Sequence, residues 1–536
     1  MRLYGPLNPY KEQTWPMNNA KIKTEYKQKP SVARRITMKK INNLKSIRYL
    51  MFTLASIILV TSCTNKDSVK DERTAQQVLA DSIELEAGQP AKELVQDLYD
   101  EMDFQRAVQA YIWATPFVNY CQVMESLEVD FGTSLTKQVI WETSVTPDLK
   151  VYTANNTTIY TFGRLDLKKH GAVILDAPAG VLGGINSHWM YPLMDVGPFG
   201  PDKGNGGKFL ILPPNFDGEI PDGYHVVQSD TYQIIFLLRG IVRDGDTKAA
   251  ADNVKLTKIY PLLEADNPPE MSWINGSGKS GDMVFPAGYE YFELLAKYLK
   301  EEHARPEDKA MLGMLAPLGI GIGKEFKPDK RTKGILERAA KVGNAMSRAI
   351  AYSSRDPKAD FYGDANHWEK IFLSESPTFE EETYLDIDAR VTYSHQASFT
   401  AKGMALKIIG KGSQYLSTYK DETGKWLDGA ENYSLHLDPD IPAVNFWSII
   451  VYDTETRSMI LNGKENDVGK DGDSDLLKND DGSIDLYFGP TAPAGKEKNW
   501  IKTVPGKGFF MYFRAYGPTE SFFDKSWKLN DVTKTK

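Results

Sequence analysis

From Ala91 onward the apolar residues recur at helical spacing, with Leu94, Leu98 and Met102 on one track and Val95 and Tyr99 beside it. The stretch "FQRAVQAYIWATPFVNYCQVMESL" continues that period as far as Pro116, which has no amide to donate and predicts an end or a kink there. Past Pro147 the pattern changes to short runs rich in β-branched and aromatic residues. Examples are "AVILDA" (172–177), "KFLIL" (208–212), "YHVVQ" (224–228) and "YQIIFLLRGIV" (232–242). Clusters of Gly, Pro and Asn separate these runs, which predicts an antiparallel sheet with long loops. Helical spacing returns with Phe292, Leu295 and Leu299, then with Ile335, Ala339, Val342, Met346 and Ile350. From about Tyr415 the chain reads as strands to its end, in "NYSLHL", "VNFWSIIVYD", "SIDLYFG" and "GFFMYFRAYGP". The expected class is therefore α+β, mainly β.

Length and charge narrow this picture. A chain of 536 residues exceeds what one core ordinarily supports, so two or more domains are expected. A net charge of -8 argues against nucleic acid, which calls for a basic face. The 27 Tyr, 23 Phe and 10 Trp suit both sheet cores and carbohydrate-handling surfaces.

The strongest local signal is an address. From Met38 the chain runs "MKKINNLKSIRYLMFTLASIILVTSC", with Lys39, Lys40, Lys45 and Arg48 ahead of an apolar run, Leu50 to Val60, too short to span a bilayer comfortably. Val60-Thr61-Ser62-Cys63 then resembles the lipobox of bacterial lipoproteins, where a peptidase cuts before a cysteine that carries lipid. Residues 38–62 are thus read as a signal peptide and residues 63–90 as the lipidated Cys63 with a polar, flexible tether. Residues 1–37 are read as an extension ahead of a start at Met38. The expected location is the bacterial cell envelope, with the bilayer engaged through acylated Cys63. The other cysteine, Cys121, has no CxxC partner, and a metal or redox role is not expected of it.

Several stretches resemble a known pair of bacterial domains of unknown function, numbered 1254 and 1214. The first resemblance rests on "AYIWATP" (110–116), "TANNTTIYTFGRLDL" (153–167), "GGKFLILPPNFDGEIPDG" (206–223), "LLRGIVRDGD" (237–246) and the connector "LAPLGIGIGKEF" (315–326). The second rests on "LDGAENYSLHL" (427–437), "VNFWSIIVYD" (444–453), "NDDGSIDLYF" (479–488), "KNWIKTVPG" (498–506) and "FRAYGP" (513–518). The resemblance implies two antiparallel, jelly-roll-like β-sandwich domains, an N-terminal helical region, a helical insert and a homo-oligomer. The expected boundaries are 91–285 for the first domain, 286–400 for the helical connector and 401–536 for the second domain. No reaction is implied, because the family as such has no established activity and fold does not supply one. "GVLGGINSHWMYPLMDVGPFG" departs from the plainly hydrophobic strand expected of relatives at that place.

The candidate chemistry is sparse. In "VYTANNTTIY" (151–160), Asn155 and Asn156 can each donate and accept, and both tolerate turn geometry. Thr158 and Tyr160 would share a strand face with Phe162. These residues suit either a ligand's polar groups or a well-bonded turn. His188 and Trp189 with Asp195 form the most catalytic-looking set, a base whose tautomer an aspartate would fix, although no GxSxG elbow accompanies them. Arg514 in "FRAYGP" suits an anionic ligand or a strand contact. The carboxylate pair of a glycan hydrolase would have to come from residues such as Glu142, Asp195 and Asp453. The seven histidines never fall at HxH or HExxH spacing, and no metal or other cofactor is expected. The function expected is a lipid-anchored binder of small or medium polar ligands such as glycan fragments. A hydrolase using the His188 loop and a structural envelope oligomer are the alternatives.

Overall fold

The computed structural model describes residues 80–81, 83–243, 245–363, 366–405, 407–463, 468–472 and 474–536. The expected extension, the expected signal peptide and Cys63 lie outside them. Residues 83–536 form one compact unit. At its start, inside the expected tether, the exposed strands Leu85–Glu86 and Gln89–Pro90 pair as a small hairpin.

The first half is a sandwich. Its six-stranded sheet runs in the order Ser272–Asn275, Lys137–Trp141, Ile159–Asp166, Gln233–Gly240, Val181–Ser187, Pro192–Val196. Its four-stranded partner runs His225–Gln228, Gly207–Leu212, Val173–Ala177, Lys258–Pro261. Ile140, Ile159, Ile234, Phe236 and Leu238 of one sheet meet Val173, Leu175, Phe209, Ile211 and Ile259 of the other. Side chains alternate along a strand, so Ile235 and Leu237 leave the opposite face of the six-stranded sheet, and they too are buried. That is why "QIIFLLRG" reads as an unbroken apolar run: both of its faces are covered.

The second half repeats the plan. A five-stranded sheet, Glu369–Lys370, Ser413–Thr418, Phe509–Pro518, Ala443–Asp453, Gly469–Asp471, packs on a four-stranded one, Trp500–Lys502, Ile484–Gly489, Asn432–Leu437, Thr533–Thr535. Phe509 touches Tyr433 and Phe488 across the gap, with ring centroids 5.7 and 6.3 Å apart. The architecture is thus mainly β with helices. The sheets are not antiparallel throughout. The pairs Ser272–Asn275 with Lys137–Trp141, His225–Gln228 with Gly207–Leu212, and Trp500–Lys502 with Ile484–Gly489 are parallel. In each, one strand is an edge strand reached by a connection longer than a hairpin turn.

The helix Val95–Val129 lies against Ile159–Asp166 and gathers Glu290–Leu299, Lys330–Tyr352 and Ile387–Ser394 around it, whereas Thr247–Val254 packs into the core between the first two sheets. Val95–Val129 is one helix through Pro116, so the expected end does not occur there. Every residue from Ala110 to Cys121 is buried, and the Thr115 hydroxyl donates to the Tyr111 carbonyl at 3.0 Å. Packing on all sides holds the helix where local propensity opposes it. Lys330–Tyr352 buries Leu336, Ala339, Ala340, Gly343, Ser347 and Ala351, while Met346 is 45% exposed. Of the expected face, Ile335 and Ala339 are buried and Val342 and Ile350 partly so, while Met346 is turned outward. Tyr111 of the long helix sits against Gly343, where a Cβ would come within 2.7 Å of its ring. Small residues are selected on that face because an aromatic ring occupies the gap.

Gly183 in the glycine-rich stretch is fixed by the same kind of constraint. A Cβ there would come 1.8 Å from the Leu237 carbonyl oxygen in the next strand. Gly183→Ala should therefore destabilise the chain by about 2–4 kcal/mol in denaturant titration, through backbone displacement. Gly313→Ala, in the helix Lys309–Leu315 with nothing within 4 Å, should be neutral or stabilising by up to about 1 kcal/mol.

Candidate functional site

The six-stranded sheet of the first half and the five-stranded sheet of the second line one cavity, whose enclosed part is about 90 Å³ within about 800 Å³ of free space that runs out to solvent. One wall comes from Tyr160 and Phe162 on Ile159–Asp166 and from Leu237 and Arg239 on Gln233–Gly240. In register, Tyr160 opposes Arg239 and Phe162 opposes Leu237, and the Arg239 guanidinium lies 5.4 Å from the Tyr160 ring centroid. The opposite wall comes from Tyr415 on Ser413–Thr418 and from Tyr512, Arg514 and Tyr516 on Phe509–Pro518. The period of two on both strands sends one residue set into the sandwich core and the other into the cavity.

The stretch 151–160 closes one side as a well-bonded turn whose Asn155 lines the cavity. Thr153 adopts φ 44°, its amide donates to the Arg457 carbonyl at 2.9 Å, and its own carbonyl accepts from Arg514 Nη2 at 2.8 Å. The Tyr452 hydroxyl donates to the Ala154 carbonyl at 2.7 Å. Asn155 accepts at Oδ1 from the Thr157 amide and hydroxyl, an Asx turn, and donates from Nδ2 to the Tyr516 hydroxyl. Every one of these bonds except the Asx turn comes from the second half of the chain. Burial pushes the phenols of Tyr393, Tyr512 and Tyr516 upward, so they stay protonated at neutral pH.

Of the residues singled out from sequence, Asn155, Tyr160 and Arg514 line the cavity. Asn156 and Thr158 are half-buried and do not line it. Trp189 is core: it packs on Trp113 and Phe117 at 4.5 and 4.7 Å and lies under Arg305. Arg239, Tyr393, Tyr415 and Tyr516 escaped notice, although an arginine inside an otherwise apolar strand was a visible signal for the first of them.

His188 does not meet Asp195. Its Nδ1 lies 2.7 Å from Glu302 Oε1, and its Nε2 lies 3.3 Å from Cys121 Sγ. Asp195 instead accepts from the backbone amides of Lys402 and Gly403 at 3.0 and 2.9 Å. The partner carboxylate sits 114 residues away in the chain, beyond the reach of local reading. The Cys121–His188–Glu302 relay has the contacts of a nucleophile, base and orienter. Cys121 and His188 are fully buried, however, and Glu302 is 4% exposed, so no substrate reaches the sulfur. Burial also pushes the Cys121 thiol up, away from the reactive thiolate. Glu302 additionally accepts from the amides of Tyr232, Gln233 and His303, so the relay ties three segments together. The suggested glycosidase carboxylates are also spoken for: Glu142 pairs with Lys255, and Asp453 with Lys507. Among the described residues no group of three or more His, Cys, Asp or Glu has the placement to hold a metal ion.

Removing Glu302 leaves His188, the buried Gln233 amide and the half-buried amides of Tyr232 and His303 without their acceptor. Glu302→Ala should cost about 3–5 kcal/mol of stability in denaturant titration, and Cys121 should resist a thiol reagent at pH 8 until the chain is unfolded. His188 and His395 are both held below the ordinary histidine pKa by burial. For His188 the neighbouring Glu302 offsets part of the effect, and for His395 the nearby Arg457 adds to it. Below about pH 6.5 the unfolded chain binds more protons at these residues than the folded one. Their contribution is complete above that pH and is lost as pH falls. The melting temperature should drop between pH 7.5 and 5, and His395→Phe should flatten part of that slope.

No curated protein matches the chain. Among solved structures, the VPA0106 protein from Vibrio parahaemolyticus is similar with a TM-score of 0.50 at 18% identity, over 81% of this chain and 100% of that one, a likeness of fold alone. A protein from Burkholderia cenocepacia matches with a TM-score of 0.38 at 11% identity, over 83% of this chain and 96% of its own. Two family models match, each described as a protein of unknown function: DUF1254 over residues 136–261 and DUF1214 over residues 412–520. The first segment contains Tyr160, Phe162, Leu237 and Arg239, and the second contains Tyr415, Tyr512, Arg514 and Tyr516, so the cavity lies where the two meet. The chain carries a DUF1254 domain followed by a DUF1214 domain.

Proposed function

We propose that the paired domains form a small-molecule binding protein that takes its ligand into the cavity between them. One observation carries the reading: two sheets from different domains leave between them an apolar and phenolic space holding buried guanidinium donors without partners. Its enclosed volume, about 90 Å³, lies below the range of roughly 300–1,000 Å³ usual for drug-sized ligands and suits a small one. The lining is rich in Phe, Tyr, Leu and Met and has no carboxylate, which suits a compact molecule with an apolar body better than a glycan fragment. Sugar hydroxyls ask for many paired donors and acceptors. A hydrolase built on His188 is disfavoured because that relay is sealed.

The protein would work at the bacterial cell envelope, tethered through a lipid on Cys63. The support for this is the basic, apolar and small-residue pattern from Met38 to Cys63. Among the described residues no helix is long and apolar enough to cross a membrane.

Native mass spectrometry of the purified full chain, with thermal-shift screening against a diverse small-molecule library, tests the binding reading. Wild type should retain or be stabilised by discrete compounds. Ala397→Trp, which fills the cavity from its wall, should lose them while keeping its circular dichroism spectrum. Compounds bound equally by both proteins, or by neither, would sink the reading.

A further inference from the structure

We propose that the ligand of this cavity is an organic acid, a carboxylate carried on an apolar body, with Arg239 and Arg514 holding its head group. The inference rests on the small-molecule reading above and specifies its chemistry.

The charge inventory is one-sided. Two guanidiniums line the cavity, and no Asp, Glu, Lys or His does. A guanidinium keeps its proton in any protein environment, so the cavity carries two positive charges at neutral pH. Arg239 makes no ion pair among the described residues, and its buried Nε has no hydrogen-bond partner. Arg514 is 3% exposed; its Nη2 donates to the Thr153 carbonyl, while its buried Nη1 has no partner.

Other arginines of this chain show what the fold does with such groups elsewhere. Arg305, 1% exposed, is bound at 2.7 and 2.9 Å by Asp308 and at 2.8 Å by Asp230. Arg331 is held by Asp100 and Asp103, and Arg164 by Glu128 and Asp166. Two other buried arginines also lack a carboxylate: Arg457 donates to the Tyr152 hydroxyl but has Nε and Nη1 without partners, and Arg390 donates to the Trp189 carbonyl. Both lie outside the cavity lining against aromatic rings, 4.3 Å from the Tyr152 centroid and 4.6 Å from that of Tyr191. At the cavity the place of the counter-charge is space rather than protein. An uncompensated buried charge is costly, and a bound oxyanion would supply what the chain omits.

The phenols fit the same head group. Tyr415 and Tyr516 lie within electrostatic reach of both guanidiniums. Burial keeps Tyr516 protonated, so it presents a hydroxyl to an oxyanion instead of competing with it as an anion. Phe162, Leu237, Phe372 and Phe399 then offer an apolar surface to the remainder of the ligand. Entry would be from a neighbouring groove that shares Ile371, Phe372, Met404 and Tyr415 with the cavity. That groove balances four lysines with four glutamates, so selection for the anion resides in the cavity and not at its mouth.

The test compares matched acids and amides, octanoate with octanamide and 4-phenylbutyrate with 4-phenylbutanamide, by calorimetry and thermal shift on the purified full chain. At least one acid should bind wild type about tenfold or more tightly than its amide. Arg239→Gln should bring the acid down to the level of the amide without weakening the amide. Arg514→Gln should do the same, and if loss of its bond to Thr153 unfolds it, Arg239→Gln decides alone. Amides that bind as well as acids, or an acid preference that survives Arg239→Gln, would overturn the organic-acid inference and leave the small-molecule reading standing. If no acid or amide binds while library compounds bind wild type and not Ala397→Trp, the organic-acid inference falls by itself. If nothing binds wild type, both fall.

Discussion

The attachment of residues 153–155 to the second domain is the constraint on which the site depends. Arg457, Arg514, Tyr452 and Tyr516 reach across from the DUF1214 half and bond to Thr153, Ala154 and Asn155 of the DUF1254 half. Backbone groups buried at a junction need partners, and here each half supplies what the other lacks. Thr153 holds a left-handed backbone conformation that a threonine adopts only under such over-determination. With that segment pinned, the two sheets face one another at a spacing that leaves room between them.

What fills that room sets the chemistry. Aromatic side chains line it from both domains, and two arginines enter it without carboxylates. Elsewhere in the chain, aromatic stacking and ion pairs close the gaps. Tyr111 stacks on Tyr291 with centroids 3.8 Å apart, and Arg305 is locked by two aspartates. Arg390 and Arg457 are also buried without a carboxylate, but they pack against aromatic rings, whereas Arg239 and Arg514 border free space.

The sealed Cys121–His188–Glu302 relay shows why geometry by itself does not make an active site. The contacts are those of a nucleophile and its base, but burial suppresses the thiolate and denies access. The carboxylate earns its place structurally, since it accepts three backbone amides as well as the imidazole. Polar groups of this kind fix which loops lie together in a core where apolar contacts are permissive.

Much of the fold was legible in the chain because it rests on local periodicity. The alternation in "FFMYFRAYGP" and the buried run "QIIFLLRG" specify strands whose opposite faces are both covered, and the family resemblance named the right pair of domains. Asn155 and Tyr160 could be singled out because they sit in a dense polar cluster, and Arg514 because it is charged in an aromatic strand. The tertiary structure decided the rest. Pro116 sits inside a helix because neighbours bury it on every side, and the helix Lys330–Tyr352 presents its small residues because Tyr111 needs the space. His188 found Glu302 instead of Asp195, and Arg239 came to face Arg514 across a cavity, because such pairings join residues more than a hundred positions apart. Periodicity in a sequence encodes which face of an element is buried; only the packing of distant elements decides what that face is buried against.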